Sequence, residues 1–132
     1  MHTWAIRPNW FERLRRRLWS DCVTADDDEA ARDLVEDFAA QRFDLVQARC
    51  GGKHTPSVDT LRRAWVAAVH RWGQPGAVGG VSELVNFGGY VLGDAPMTFG
   101  AETVYLGFWL DRHQRVRALH FGPKDDNLLD EG

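Results

Sequence analysis

A chain of 132 residues, 44% apolar and with net charge −3, has room for one domain with its own core. It has no global basic field that would draw it to nucleic acid. Cys22 and Cys50 are the only cysteines, which makes neither a disulfide framework nor a zinc site and suits a reducing compartment.

Met1 to Trp19 carries five arginines and one acid, Glu12. The arginines interrupt any signal-peptide apolar core, and no apolar run nears the roughly 20 residues of a membrane span. A cytoplasmic protein without metal or cofactor is expected. After Pro8, the residues Trp10, Phe11, Leu14 and Leu18 recur at helical spacing, so residues 1–20 read as a basic amphipathic helix. Such a helix either packs on its own domain with solvated arginines or docks on a partner or a membrane surface, of which the membrane is the less expected.

The sign of the charge then reverses. Residues 21–37 hold eight acids against Arg32 alone. Thr24 is an expected N-cap, and Asp26, Asp27, Asp28 and Glu29 fall in the first turn, where carboxylates complement the helix dipole. Ala31, Leu34, Val35, Phe38 and Ala39 form the buried stripe of this helix. The acid cluster therefore needs no metal to explain it. Residues 42–50 predict a short helix with Phe43, Val46 and Cys50 inward, ended by Gly51-Gly52. A third helix is predicted with Thr55 as cap and Pro56 at its first position. It presents Val58, Leu61, Trp65, Ala68, Val69 and Trp72 on one face and stops at Gly73.

Strands follow. One is predicted over Val78 to Phe87. A second runs from Tyr90 to Phe99 and is interrupted by a bulge or edge at Gly93-Asp94-Ala95-Pro96. A third spans Glu102 to Leu110, and a last one runs from Arg115 to Phe121 beyond the turn Asp111-Arg112-His113-Gln114. Residues 124–132 read as an acidic, frayed tail. Helices first and an antiparallel meander second is an α+β pattern, with the helices covering one sheet face.

Three stretches carry a family resemblance. They are the helix Ala30 to Phe43 leading into Asp44-Leu45-Val46; Val58-Asp59-Thr60-Leu61-Arg62-Arg63-Ala64-Trp65 closing at Trp72-Gly73; and Val104 to Asp111 with Arg115-Val116-Arg117-Ala118-Leu119 and Gly122-Pro123. Together they cover residues 25 to 123. The chain resembles the cone-shaped α+β fold of the nuclear-transport-factor-2-like (NTF2-like, cystatin-like) superfamily, and more narrowly the small uncharacterised DUF3887 domains of bacteria. On that likeness, residues 21–123 form the domain. These are packing motifs, so they imply a fold and not one function. The superfamily holds ketosteroid-isomerase-like and polyketide-cyclase-like enzymes beside non-catalytic ligand and partner binders. The resemblance also implies a pocket between the curled sheet and the helices, here lined by some of Trp65, Trp72, Tyr90, Phe99 and Phe108.

Enzymes of the isomerase type hold a carboxylate or histidine in such a pocket, where apolar walls tune it as a general base. Glu83 is the first candidate, because alternation places it among Val81, Val85 and Phe87; at a rim it would simply reach water. Asp94 is a second, although aspartate at a turn also bonds its own backbone. His120, alternating with Ala118 and Val116, is a third, unless it faces outward opposite Leu119 and Phe121. Cys50, Lys53 and His54 are close in sequence, but a catalytic pair needs contact and an orienting group. In the third strand Val104, Leu106, Phe108 and Leu110 share one face, and Thr103, Tyr105, Gly107 and Trp109 share the other. Both faces are apolar enough to be covered. A homodimer through the face bearing Tyr105 and Trp109 is one expected cover; the N-terminal helix is the other. The leading expectation is a domain that binds a small apolar ligand or a protein partner, and the alternative is an isomerase-like or cyclase-like enzyme.

Overall fold

The computed structural model describes residues 23–131; the basic helix expected over residues 1–20 lies outside them. Helix α1 spans Ala25–Ala39. Thr24 caps it, accepting a bond from the Asp27 N–H at 3.1 Å, while the Asp27 carboxylate accepts one from the Thr24 N–H at 2.9 Å. This reciprocal box satisfies two N–H groups that a helix start otherwise leaves orphaned. The other Asp27 oxygen accepts a bond from the Gln114 side chain at 2.9 Å, which ties the start of α1 to a distant turn. Ala31, Leu34, Val35 and Phe38 are buried as their spacing requires.

Helix α2 spans Phe43–Arg49. Asp37, near the end of α1 and 6% exposed, accepts from Arg42 at 2.9 Å and from Arg49 at 3.0 Å. A carboxylate this buried is stable only with such partners, and here they clamp the two helices together. Phe43, Val46 and Cys50 point inward as expected. Helix α3 spans Val58–Trp72. It begins two residues later than expected, because Ser57 and not Thr55 accepts the capping bond, from the Thr60 N–H at 3.0 Å. Thr55 instead donates to the Gly52 carbonyl. Gly73, with φ of 119°, ends the helix.

The sheet is antiparallel, with β1 (Pro75–Val78) and β2 (Val85–Phe87) both pairing with β3 (Tyr90–Phe99), followed by β4 (Glu102–Leu110) and β5 (Val116–Gly122). The two first hairpins use two-residue turns. Gly88-Gly89, both at positive φ, joins β2 to β3, and Gly100 at φ 60° opens the turn from β3 to β4. These backbone angles suit glycine and match the strand twist. A Cβ on Gly100 would also collide with the Trp72 carbonyl oxygen, so the turn can nestle against the end of α3.

Two strand expectations are corrected. The predicted strand over Val78 to Phe87 is divided, and Gly79 to Leu84 run irregularly between its halves. Val78 faces Met97 and Val85 faces Leu92, so the edge uses seven steps where β3 uses five. The bulge expected within β3 therefore lies in its partner. β3 itself passes unbroken through Gly93-Asp94-Ala95-Pro96, paired residue by residue with β4. The tail is also corrected. Residues Leu128–Glu131 form a 3-10 turn, Leu128 is 2% exposed, and the Asn127 side chain bonds the backbone of Phe121, Leu119 and Leu129.

The helices cover one face of the sheet, and the space between is filled by rings. Phe121 lies 4.8 Å from Phe38, 5.8 Å from Phe99 and 6.1 Å from Trp65, centroid to centroid, and stacks on the last at 8°. Trp65 also meets Phe99 edge-on at 5.0 Å. Trp65 and Phe99, expected to line a pocket here, are 5% and 0% exposed and pack on each other instead. Phe108 joins the same core, and Trp72 packs half-buried at its margin. No helix among the described residues is long and apolar enough to cross a membrane.

Candidate functional site

The outer sheet face, away from the helices, holds the hollow. β4 runs through its middle. Val104, Leu106, Phe108 and Leu110 point inward and are buried, which leaves Tyr105, Gly107 and Trp109 pointing outward. Strand pairing sets Asp94 on one side of Gly107 and His120 on the other. Gly107 contributes no side chain, so the centre of this row is a floor of bare backbone. Leu92, Trp109 and Ala118 form the next outward row on one side, and Tyr105 stands on the other.

The result is an open groove of about 850 Å³. Its floor is about 10 Å wide from Asp94 to His120, from two strand spacings, and about 14 Å long from Tyr105 to Trp109, from four strand residues. Lys124 sits with its Nζ 5.2 Å from the centre of the Tyr105 ring, a cation–π distance.

His120 reaches this face because β5 bulges. The pairing slips where Trp109 meets Ala118 and Leu110 meets Val116. Arg117 is the extra residue, so Val116 points inward with Leu119 and Phe121. The expected alternation of Val116, Ala118 and His120 on one side is thereby corrected: only Ala118 and His120 share the outer face. Gly122, with φ of 149°, then turns the chain back. The His120 Nε2 lies 3.3 Å from the Gly122 carbonyl and 3.0 Å from that of Pro123. Carbonyls only accept, so Nε2 carries a proton, which leaves Nδ1 as the acceptor whenever the ring holds one proton.

Asp94 is half-buried. Its N–H donates to the Ser82 hydroxyl at 3.0 Å and its carbonyl accepts the Ser82 N–H at 2.8 Å. The backbone is thus pinned, while no described group bonds its carboxylate. Glu83 lies in the irregular stretch and not in a strand, exposed at the rim of the groove. Glu83 and Val85 face out, Val81 packs half-buried against the core, and Leu84 turns in over Gly93, where a Cβ would strike it. Of the expected ligand-binding aromatics, Tyr90 reaches the outer face, with its ring 5.8 Å from Trp109. Phe108 meets the groove only from below.

The remaining candidates do not converge. Cys50 is buried, and desolvation raises its thiol pKa to about 11 despite the nearby Arg115 charge. That thiol is not a nucleophile at neutral pH. Among the described residues, no cluster of three His, Cys, Asp or Glu side chains is arranged to hold a metal ion. Gly107 carries no ionisable group and so gives no chemical signal of its own in the sequence. Its signal was a glycine between two aromatics on the outward alternation of β4. No family model, curated protein or solved structure matches this chain.

Proposed function

We propose that this domain binds a small, flat, largely apolar ligand on its outer sheet face, over Gly107 and between Tyr105 and Trp109. The observation that carries this is the bare floor at Gly107 with acceptors on both sides. The Asp94 carboxylate accepts hydrogen bonds, and so does His120 Nδ1 when Nε2 alone carries the ring proton, so the fitting ligand offers hydroxyl or amine donors. Apolar walls with a few placed polar groups are the ordinary make-up of small-molecule sites.

The order of helices followed by antiparallel sheet supports reading the chain as an NTF2-like domain akin to the DUF3887 group. On that reading it is a member whose interior is closed by rings and whose hollow lies outside. A second reading, an acid–base enzyme, is favoured by one observation: the two backbone carbonyls that hold Nε2–H leave Nδ1 as a proton acceptor.

The test is NMR titration with 2-naphthol and 2-naphthylamine, with naphthalene as a control. Binding should shift Gly107, His120 and Trp109, and losing the donor should weaken affinity about tenfold, the worth of one charge-assisted bond. A Cβ on Gly107 meets only the His120 Cβ at 3.5 Å and the Gly93 carbonyl at 4.0 Å, so Gly107→Val should keep the fold, checked by its thermal melt, while its methyls fill the floor. Equal affinity in that variant, or no shifts in the wild type, overturns the proposal. Exchange of carbon-bound ligand protons with solvent, lost in His120→Gln, would favour the enzyme.

A further inference from the structure

At one end of the sheet the β2–β3 turn stands beside the β4–β5 turn, because Val91 pairs with Leu110. Between the turns lies a second hollow of about 460 Å³, which shares no lining residue with the groove. Arg112, His113 and Arg117 line it from one turn, and Gly88, Gly89 and Tyr90 from the other. Residues 111–117 hold three arginines against Asp111 alone, in a chain of net charge −3. Arg112, Arg115 and Arg117 are all exposed. Among the described residues, Asp111 is the one acid at ion-pair distance from any of them, 3.3 Å from Arg117. Its carboxylate is fully engaged. Oδ1 accepts the His113 and Arg115 N–H groups at 2.8 and 3.0 Å, and Oδ2 accepts from Arg117.

We propose that this hollow binds the phosphate of a small phosphate monoester, held by Arg112 and Arg117. The first argument is chemistry. A guanidinium offers five donors and no acceptor, in a fork that matches phosphate oxygens. Arg117 engages Asp111 through one nitrogen, and Arg112 has no bonding partner among the described residues. The second is placement. Arg115 donates to the Cys50 carbonyl at 2.6 Å, which fixes its guanidinium without neutralising it. A Cβ on Gly51 would meet the Arg115 Nε at 3.4 Å, and one on Gly52 would meet the Arg117 Nε at 3.3 Å. The bare Gly51-Gly52 backbone therefore lets two guanidiniums lie against adjacent residues, with the exposed Lys53 next in the chain. Like charges gathered in this way repel, and an anion of charge near −2 relieves the repulsion. The third is shape. The hollow has the size of a small-molecule site. A Cβ on Gly88 or Gly89 would meet nothing within 4 Å, so that turn leaves open space for the ligand. The negative net charge of the chain weighs against a long polyanion as the occupant.

The experiment is an NMR titration of the full chain with phenyl phosphate at pH 8 and constant ionic strength, where the phosphate is a dianion. Phenyl sulfate, with the same ring and one charge, is the control. Phenyl phosphate should shift Gly88, Gly89 and His113 and bind several-fold more tightly than the sulfate. Arg112→Ala, at an exposed position without a partner, should weaken binding about tenfold, the worth of one charged hydrogen bond. Arg112→Lys should restore only part of it, because an ammonium lacks the fork. Arg62→Ala, on the exposed side of α3, should change nothing. Absence of shifts, equal affinity for phosphate and sulfate, or indifference to Arg112→Ala overturns the proposal. Equal losses from Arg112→Ala and Arg62→Ala would show only diffuse attraction and overturn it as well. So would shifts confined to Gly107 and His120, which would place the ring in the groove. None of these results bears on the groove reading, which the naphthol series tests separately.

Discussion

The two faces of β4 are built from the same nine residues and behave oppositely. Inward, Val104, Leu106, Phe108 and Leu110 are all at most 2% exposed. Outward, a glycine sits between Tyr105 and Trp109. The inner face packs into the closed core, so any volume lost there leaves a cavity. The outer face can change without unfolding the domain. A site is therefore free to form where the core does not need the side chains.

Phe121→Ala should give the largest effect. It removes a fully buried ring that touches Phe38, Trp65 and Phe99, at a cost of about 3–5 kcal/mol. Trp109→Ala on the other face should cost less than about 1 kcal/mol. Urea denaturation of both checks this, and comparable losses would break the contrast between the faces.

Glycine substitution sharpens it. Gly93 and Gly107 lie on neighbouring strands and face opposite ways. A Cβ on Gly93 strikes Leu84, whereas one on Gly107 meets only ordinary contacts. Gly93→Ala should destabilise by about 1–3 kcal/mol, and Gly107→Ala should be neutral or stabilise by up to about 1 kcal/mol. Thermal melts of the pair decide between them.

The smallest effect concerns Cys50. Its folded pKa, raised by burial to about 11, exceeds its ordinary value of 9.0. Its contribution to stability is therefore complete below pH 9 and is lost as pH rises toward 11. In a Cys22→Ser chain, reaction with a disulfide reagent at pH 8 should be slow while folded and immediate in urea. Fast native reaction would show that the inner face opens readily.

Helix α1 shows how much was legible. Thr24, its acids and the Ala31, Leu34, Val35, Phe38 stripe follow from local bonding and a 3.6-residue period, and both are visible in sequence. β4 was legible for the same reason, with a period of two. Glu83 was not, because its alternation assumed a regular strand. The strand fails at Gly79-Gly80, where pairing with β3 slips by two residues. His120 turned on a similar slip, at Arg117 in β5. The one-residue bulge at Arg117 reverses the side chains that follow it, whereas the two-residue slip after Val78 keeps their parity and instead takes Glu83 out of the ladder; nothing in the local residues announces either one.

The order of elements, the caps and the inward residues of each helix were thus determined by the chain's own local chemistry. Which face of the sheet closes and which stays open was decided only in the folded molecule. The interior filled because Phe38, Trp65, Phe99 and Phe121 come from four separate elements and meet only in the fold. The groove formed because pairing brought Asp94, Gly107 and His120 into one row from three strands. Neither arrangement can be read from neighbours along the chain, since both depend on register between residues far apart in it.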